Sequence, residues 1–259
     1  CNAPAAGAAC RGTMKRWFPL TILALSFLTL RAAEKLPLLD WSDWEKYRAT
    51  VQHPSGAFKP ADVVRARENL ARYPWARAYA AGLERTTRAA IDKLTPAYLT
   101  AMIPETTPGD PKFTPCPACR DQGKPVHPHG LWTWREAAPD QLTCDMCQTV
   151  FPHERYPESV VLHTTWGKPQ TLTFAGGEPF VIFSYKTGRP SFSGNIRARK
   201  VGHMAGLART MAEAFLLTGK TEYARGTRAL LLRFAQCYPG WLVHTGYGEF
   251  ADMDPHIAA

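Results

Sequence analysis

The sequence predicts a mainly α-helical protein with a small, cysteine-bearing, β-containing insertion. Three observations carry that prediction. Apolar residues recur at helical spacing over residues 60–94 and again over 201–238. Between them lies a proline-rich stretch holding two Cys-x-x-Cys hooks. That stretch ends in short β-branched and aromatic runs over 160–183.

The first element is an export signal. Met14-Lys15-Arg16 is a short basic opening, and a mostly apolar run of 14 residues follows from Trp17 to Leu30. Small residues at Ala32 and Ala33 complete the layout of a signal peptide over 14–33. The run is shorter than the roughly 20 residues a membrane span requires. Cleavage must use Leu30-Arg31-Ala32 or Arg31-Ala32-Ala33, so an uncleaved anchor is the alternative. Residues 1–13 lie ahead of Met14 and are read as upstream read-through, which leaves Cys1 and Cys10 without structural meaning. The expected location is periplasmic or secreted, with membrane contact only through an uncleaved signal.

Composition is that of a globular chain, with 45% hydrophobic and 20% charged residues. The formal charge of +9 includes Arg11, Lys15, Arg16 and Arg31, and no acid lies in residues 1–33. About +5 is left for the mature part. That is a mild bias toward acidic partners and too weak to imply nucleic acid.

Residues 34–103 form the N-terminal helical segment. After a lead-in with Trp41 and Trp44, Pro60 opens a helix with Asp62 in its first turn, where a carboxylate suits the positive helix end. Val63, Val64, Ala66, Leu70 and Ala71 make its apolar face. Tyr73-Pro74 interrupts, and a second helix runs to about Leu94. Trp75, Tyr79, Leu83, Ala90, Ile91 and Leu94 mark its stripe, which places Trp75 and Tyr79 in the core.

Residues 104–190 form the insertion. Ten prolines between 104 and 157 break any helix, and a segment this irregular needs a staple. Cys116 and Cys119, then Cys144 and Cys147 after 24 intervening residues, can close one tetrahedral thiolate site. The interval exceeds the usual span of about 15–20. Arg120 and Gln148 stand where such hooks often carry glycine, and His127, His129 and His153 are nearby substitute ligands. Zinc in a structural role is the favoured reading, since four thiolates leave no open position for catalysis. Export makes crosswise disulfides the alternative. Beyond the hooks, Val160-Val161-Leu162, Thr171-Leu172-Thr173-Phe174 and Phe180-Val181-Ile182-Phe183 read as strands. Gly176-Gly177 is read as the hairpin turn between the last two.

Residues 191–259 are read as the start of stacked helical hairpins. Helices return from Val201, with Met204, Leu207, Ala208, Met211 and Phe215 in one stripe and Gly219 as the stop. Thr221 caps a helix carrying Tyr223, Leu230, Leu231, Phe234 and Tyr238, and Pro239-Gly240 ends it. Cys237 reads as a small buried apolar residue. Such antiparallel pairs bury their stripes by stacking on further pairs.

Several stretches, taken in order, resemble the heparinase II/III-like polysaccharide lyases and their alginate-lyase relatives. One runs from His53-Pro54-Ser55-Gly56-Ala57-Phe58 through Arg65-Ala66-Arg67 to Tyr73-Pro74-Trp75-Ala76. Another is the hook region ending near Phe151-Pro152. The last is Phe215-Leu216-Leu217-Thr218-Gly219-Lys220 with Tyr223-Ala224, then Leu230-Leu231 and Phe234-Ala235-Gln236-Cys237-Tyr238-Pro239. The resemblance covers residues 50–250 or so and implies an (α/α) toroid, here incomplete, with a β-sandwich to follow. It implies cleavage beside a uronic acid by β-elimination. An Asn or His neutralises the carboxylate, and a Tyr/His pair moves the protons. Those residues are expected beyond Ala259, so the chain alone is expected to be inactive.

Candidate contacts to an acidic polysaccharide are Arg197, Arg199, His203, Trp241, His244, Tyr247 and Glu249, with Asp252 close by. Aromatic and polar groups in a glycine-bearing loop suit sugar faces, and arginine pairs with carboxylates. The plainer reading of Arg197 to Lys200 is a solvated basic turn. Two other function classes stay open. One is a glycoside hydrolase on a similar helical ring, using paired carboxylates. The other is a non-catalytic zinc-ribbon or carbohydrate-binding module.

Overall fold

The computed structural model of the protein describes residues 42–52, 55–56, 58–109, 113–164, 168–182 and 186–242. About half of the described residues are helical, and the rest include three small antiparallel sheets, so the protein is mainly α. The chain divides into two units, residues 1–56 and 57–259. The first carries α1 (Ser42–Thr50), where Arg48 pairs with Glu45. The signal segment and the loop holding His244, Tyr247, Glu249 and Asp252 lie outside the described residues. Among the described residues no helix is long and apolar enough to cross a membrane.

The second unit opens with α2 (Pro60–Arg72) and α3 (Pro74–Ile91). Tyr73 between them is extended, with φ −117° and ψ 130°, because the ring of Pro74 disfavours a helical residue before it. The Lys59 N–H donates to the Asp62 carboxylate at 2.9 Å, which satisfies one donor at the start of α2. A short α4 (Pro96–Met102) follows, capped by the Thr95 hydroxyl.

The insertion contributes α5 (Pro117–Asp121) and a three-stranded sheet of β1 (Trp132–Arg135), β2 (Ala138–Cys144) and β3 (Val150–Phe151). Register sets Trp132 opposite Cys144 and Leu142 opposite Phe151. Two further hairpins are β4 (Val160–His163) with β5 (Thr171–Phe174), and β6 (Phe180–Ile182) with β7 (Lys186–Gly188).

That pairing corrects one expectation. Gly176 and Gly177 do not join β5 to β6 as a hairpin. β5 pairs backward with β4, and β6 pairs forward with β7. Gly176 serves a close approach instead, and Gly177 turns the chain at φ 75°. The Gly176 N–H donates to the Pro157 carbonyl, and a Cβ there would lie 2.3 Å from the Ser159 hydroxyl. The Ala175 N–H likewise donates to Pro190, so the backbone at this point is tied to two other segments.

α6 (Phe192–Thr218) starts nine residues before Val201, a second correction. Ser191 caps it through the Gly194 N–H, and the Glu158 carboxylate accepts the Phe192 and Ser193 N–H groups. Ser191 is a local mark of this start that the reading from Val201 passed over, whereas the part of the cap that Glu158 supplies from a distant segment leaves none. α7 (Thr221–Cys237) returns antiparallel after Gly219, which sits in the left-handed region at φ 73°. The helix cap is Lys220 rather than Thr221.

Two cores meet along α6. Its later residues Met204, Leu207, Ala208 and Met211 pack with Met102, Ile103, Leu230 and Cys237 from the helical side. Its first turn delivers Phe192 and Ile196 into the cysteine-rich core with Trp132, Leu142 and Phe151. Trp134 packs against both. One long helix therefore joins the β-containing insertion to the helical layer.

Candidate metal centre

Two unlike hooks bring four sulfurs together. Cys116 precedes α5, Pro117 fixes the first helical φ, and one turn returns Cys119 to the same side. Lys124 then donates its N–H to the Cys119 carbonyl, and Gly123 turns the chain at φ 64°. The second hook leaves the end of β2. The Gln148 N–H closes on the Cys144 carbonyl at 2.8 Å, and the Cys144 N–H bonds Thr149 at 2.9 Å. Gln148 occupies the left-handed region at φ 61°, which a glycine would adopt without strain. Its side-chain amide donates to the Asp145 carbonyl at 2.8 Å, a local bond that helps hold the turn.

All four Sγ atoms lie within 4.8 Å of one another. Cys116 and Cys147 are 3.7 Å apart, and Cys119 and Cys144 are 3.6 Å apart. A tetrahedron of metal–sulfur bonds about 2.3 Å long has edges of about 3.8 Å. A disulfide would need about 2.05 Å. The five described cysteines are all free thiols. The cluster can therefore hold a metal ion with four protein ligands. His127, His129 and His153 are not members of it.

The surroundings suit a closed site. Cys116, Cys119 and Cys144 are buried, and Cys147 is half-buried. Trp132 meets Phe151 edge-on at 5.3 Å, and Phe192 stacks on Phe151 at 4.3 Å. Burial pushes the Cys116 thiol far up and Cys119 up to about 12. Cys147 is drawn down to about 7: burial would raise it, but the Thr149 hydroxyl, its N–H and the neighbouring sulfurs outweigh that. Cys116 and Cys119 thus resist losing protons to water, and a bound cation is what would stabilise thiolates at those two positions.

The predicted sugar-contact residues that are described do not form one cluster. Arg197 and Arg199 belong to α6, not to a basic turn. Arg197 Nε donates to the Thr107 carbonyl at 2.8 Å, and Arg199 Nε to Asn195 Oδ1 at 3.3 Å. Lys200 is buried, with Nζ on the Ala101 carbonyl and the Asp140 carboxylate. Arg197 and Lys200 stitch α6 to the segments beside it, whereas the Arg199 bond lies within the helix. Trp241 packs edge-on against Phe234, and its indole N–H donates to Pro104. His203 lies against Trp134 and 4.0 Å from Glu136, whose carboxylate also accepts Lys93 and Tyr98. Sequence patterning missed that network, because its members come from α4, α6, β1 and the turns after α3 and β1.

The core assignment of Trp75 and Tyr79 is overturned. Both are exposed, at 65% and 54%, because α3 buries Ala76, Ala80 and Thr87 instead.

Comparison with protein-family models, curated proteins and solved structures returned no match.

Proposed function

We propose that this chain is the N-terminal portion of an exported lyase that cleaves uronic-acid-containing polysaccharide by β-elimination, stapled by one structural zinc ion. The motif order that resembles heparinase II/III-like lyases supports the activity. The outer face of the α6–α7 pair supports the ring architecture, and it is the observation that carries the reading. That face holds an open groove of about 440 Å³ lined by Ala212, Phe215, Ala224, Leu231, Leu232 and Ala235, together with Thr227 and Arg228. Leu231 and Leu232 are exposed there. In stacked hairpin arrays such a face is covered by the next pair. The next hairpin of an (α/α) toroid is its natural occupant, and the proton-moving residues belong to that continuation.

Zinc fits the cysteine site on ligand chemistry. Four soft thiolates in a tetrahedron select zinc or iron, and zinc has no redox chemistry to suffer outside the cytosol.

The test uses the full-length gene product on alginate-like and heparin-like polymers, following ultraviolet absorbance of the unsaturated uronate at the new chain end. Absorbance that grows with time on either polymer is the expected result. Depolymerisation without that chromophore would point to a hydrolase, and binding without depolymerisation to a carbohydrate-binding module.

A further inference from the structure

The exposed aromatics of α3 raise a separate question. Tyr73 and Trp75 stack with centroids 6.0 Å apart and planes 20° from parallel. Trp75 and Tyr79 are four residues apart on one helix, so they share a face about 6 Å along the axis. The track leads to a groove of about 250 Å³ between α2, α3 and α6. Phe58, Val63 and Leu216 contribute apolar walls, and Phe58 is itself exposed. Leaving this much aromatic surface in water is unfavourable, and such patches mark places where something binds.

The polar groups discriminate among occupants. The Tyr79 hydroxyl donates to Glu213 at 2.8 Å, and Arg209 Nε donates to the same carboxylate at 2.7 Å. Glu213 is pushed up by its burial and pulled down further by these two bonds, so it stays ionised. Asp62, held by Arg65 and the Lys59 N–H, stands on the groove wall. An apolar helix or an acyl chain laid here would strip water from the Tyr79–Glu213–Arg209 triad without replacing its hydrogen bonds. A sugar chain would not. Its C–H faces stack on indole and phenol rings, and its hydroxyls can bond Asp62, Glu213 and Arg209.

We propose that the Tyr73–Trp75–Tyr79 track and its adjoining groove form a glycan-holding surface for a pyranose chain. It grips polymer by ring stacking and carries no bond-breaking step. It rests on the lyase reading only for the choice of an acidic polymer as one probe.

The experiment is calorimetric titration of the full chain with an alginate hexasaccharide and with cellohexaose, for wild type, Trp75→Ala, Trp75→Phe and Tyr79→Phe. The expected result is that Trp75→Ala weakens at least one of the glycans about five- to tenfold while Trp75→Phe restores most of the affinity. The two ligands separate recognition of an acidic chain from recognition of any pyranose. Tyr79→Phe keeps the ring and is expected to cost less than Trp75→Ala. Trp75 is mostly in solvent, so the alanine variant should keep the wild-type melting temperature. Equal affinity in wild type and Trp75→Ala would overturn the proposal. So would no binding of either glycan, or a concentration-dependent dimer that Trp75→Ala abolishes. Elimination activity enters none of these readouts. Polymer cleavage with unchanged Trp75→Ala binding sinks the surface and leaves the lyase, and the reverse pattern does the opposite.

Discussion

Cys119 Sγ stands 3.6 Å from Cys144 Sγ although 24 residues separate the two in sequence. A one-turn helix supplies the first sulfur and a strand end the second. Neither hook can fix the distance alone. The sheet register does, because Cys144 lies opposite Trp132 and Trp132 is anchored by its indole bond to the Thr114 carbonyl, just before the first hook. The pair is thus a direct readout of whether the insertion is folded.

Replacing Cys119 by serine should abolish metal retention. The native protein is expected to carry about one zinc ion per chain by mass spectrometry of the intact species. The variant should carry close to none, since one hard oxygen in a thiolate site breaks both the charge and the bond length. Removing a structural metal from a segment this poor in regular structure costs several kcal/mol. The insertion should therefore lose its near-ultraviolet dichroism from Trp132 and Trp134. Full retention of that signal in a metal-free sample would refute a structural role.

The helices were legible in sequence because each is set by local periodicity. α2, α3 and the turn at Gly219 follow from proline, apolar spacing and a left-handed glycine. The hooks were legible because thiolate chemistry constrains spacing. What stayed hidden depends on distant partners. Glu158 adds to the local Ser191 cap at the start of α6, and the buried Lys200 is held by Asp140 and Ala101. Gln148 replaces the expected glycine by bonding its own side chain to Asp145. Trp75 and Tyr79 misled because size and spacing say which residues share a face, not which face is covered.

Two glycines of the α6–α7 hairpin should respond in opposite directions. Gly219 has φ 73°, so alanine there must enter the left-handed region and is expected to destabilise by about 1 kcal/mol. Gly206 lies within α6, and an added Cβ meets nothing within 4 Å. Alanine there should stabilise by about 0.5–1 kcal/mol through helix propensity and a less flexible unfolded chain. Denaturant melts of both variants at equal slope would read the two signs. A loss of stability in Gly206→Ala would mean that face of α6 is covered by something in the folded protein.

Acid should loosen the helical layer, with a sign that follows from three carboxylates. Glu84 lies below its ordinary value because Lys220 bonds it, with Tyr223 and Arg88 adding to that against the effect of burial. Glu136 is lowered chiefly by Lys93 and then by Tyr98. Glu213 is lowered too, where the bonds from Arg209 and Tyr79 outweigh its burial. In each case the unfolded carboxyl, near 4.3, takes up its proton at higher pH than the folded one. Stability from these groups is complete above about pH 5 and is lost as pH falls through the unfolded value toward the folded ones. Acid also protonates the cysteine ligands, so a melt of the wild type alone would mix two effects. Glu84→Gln separates them, since it leaves the cysteines untouched. It is expected to lower stability measurably at neutral pH, because Lys220 loses its charged partner. As pH falls through the lowered folded value of Glu84, the wild-type carboxylate is itself neutralised, so the gap between the two proteins should close. A gap that stays constant across that range would show that Glu84 holds α3 to the Gly219 turn by shape rather than by charge.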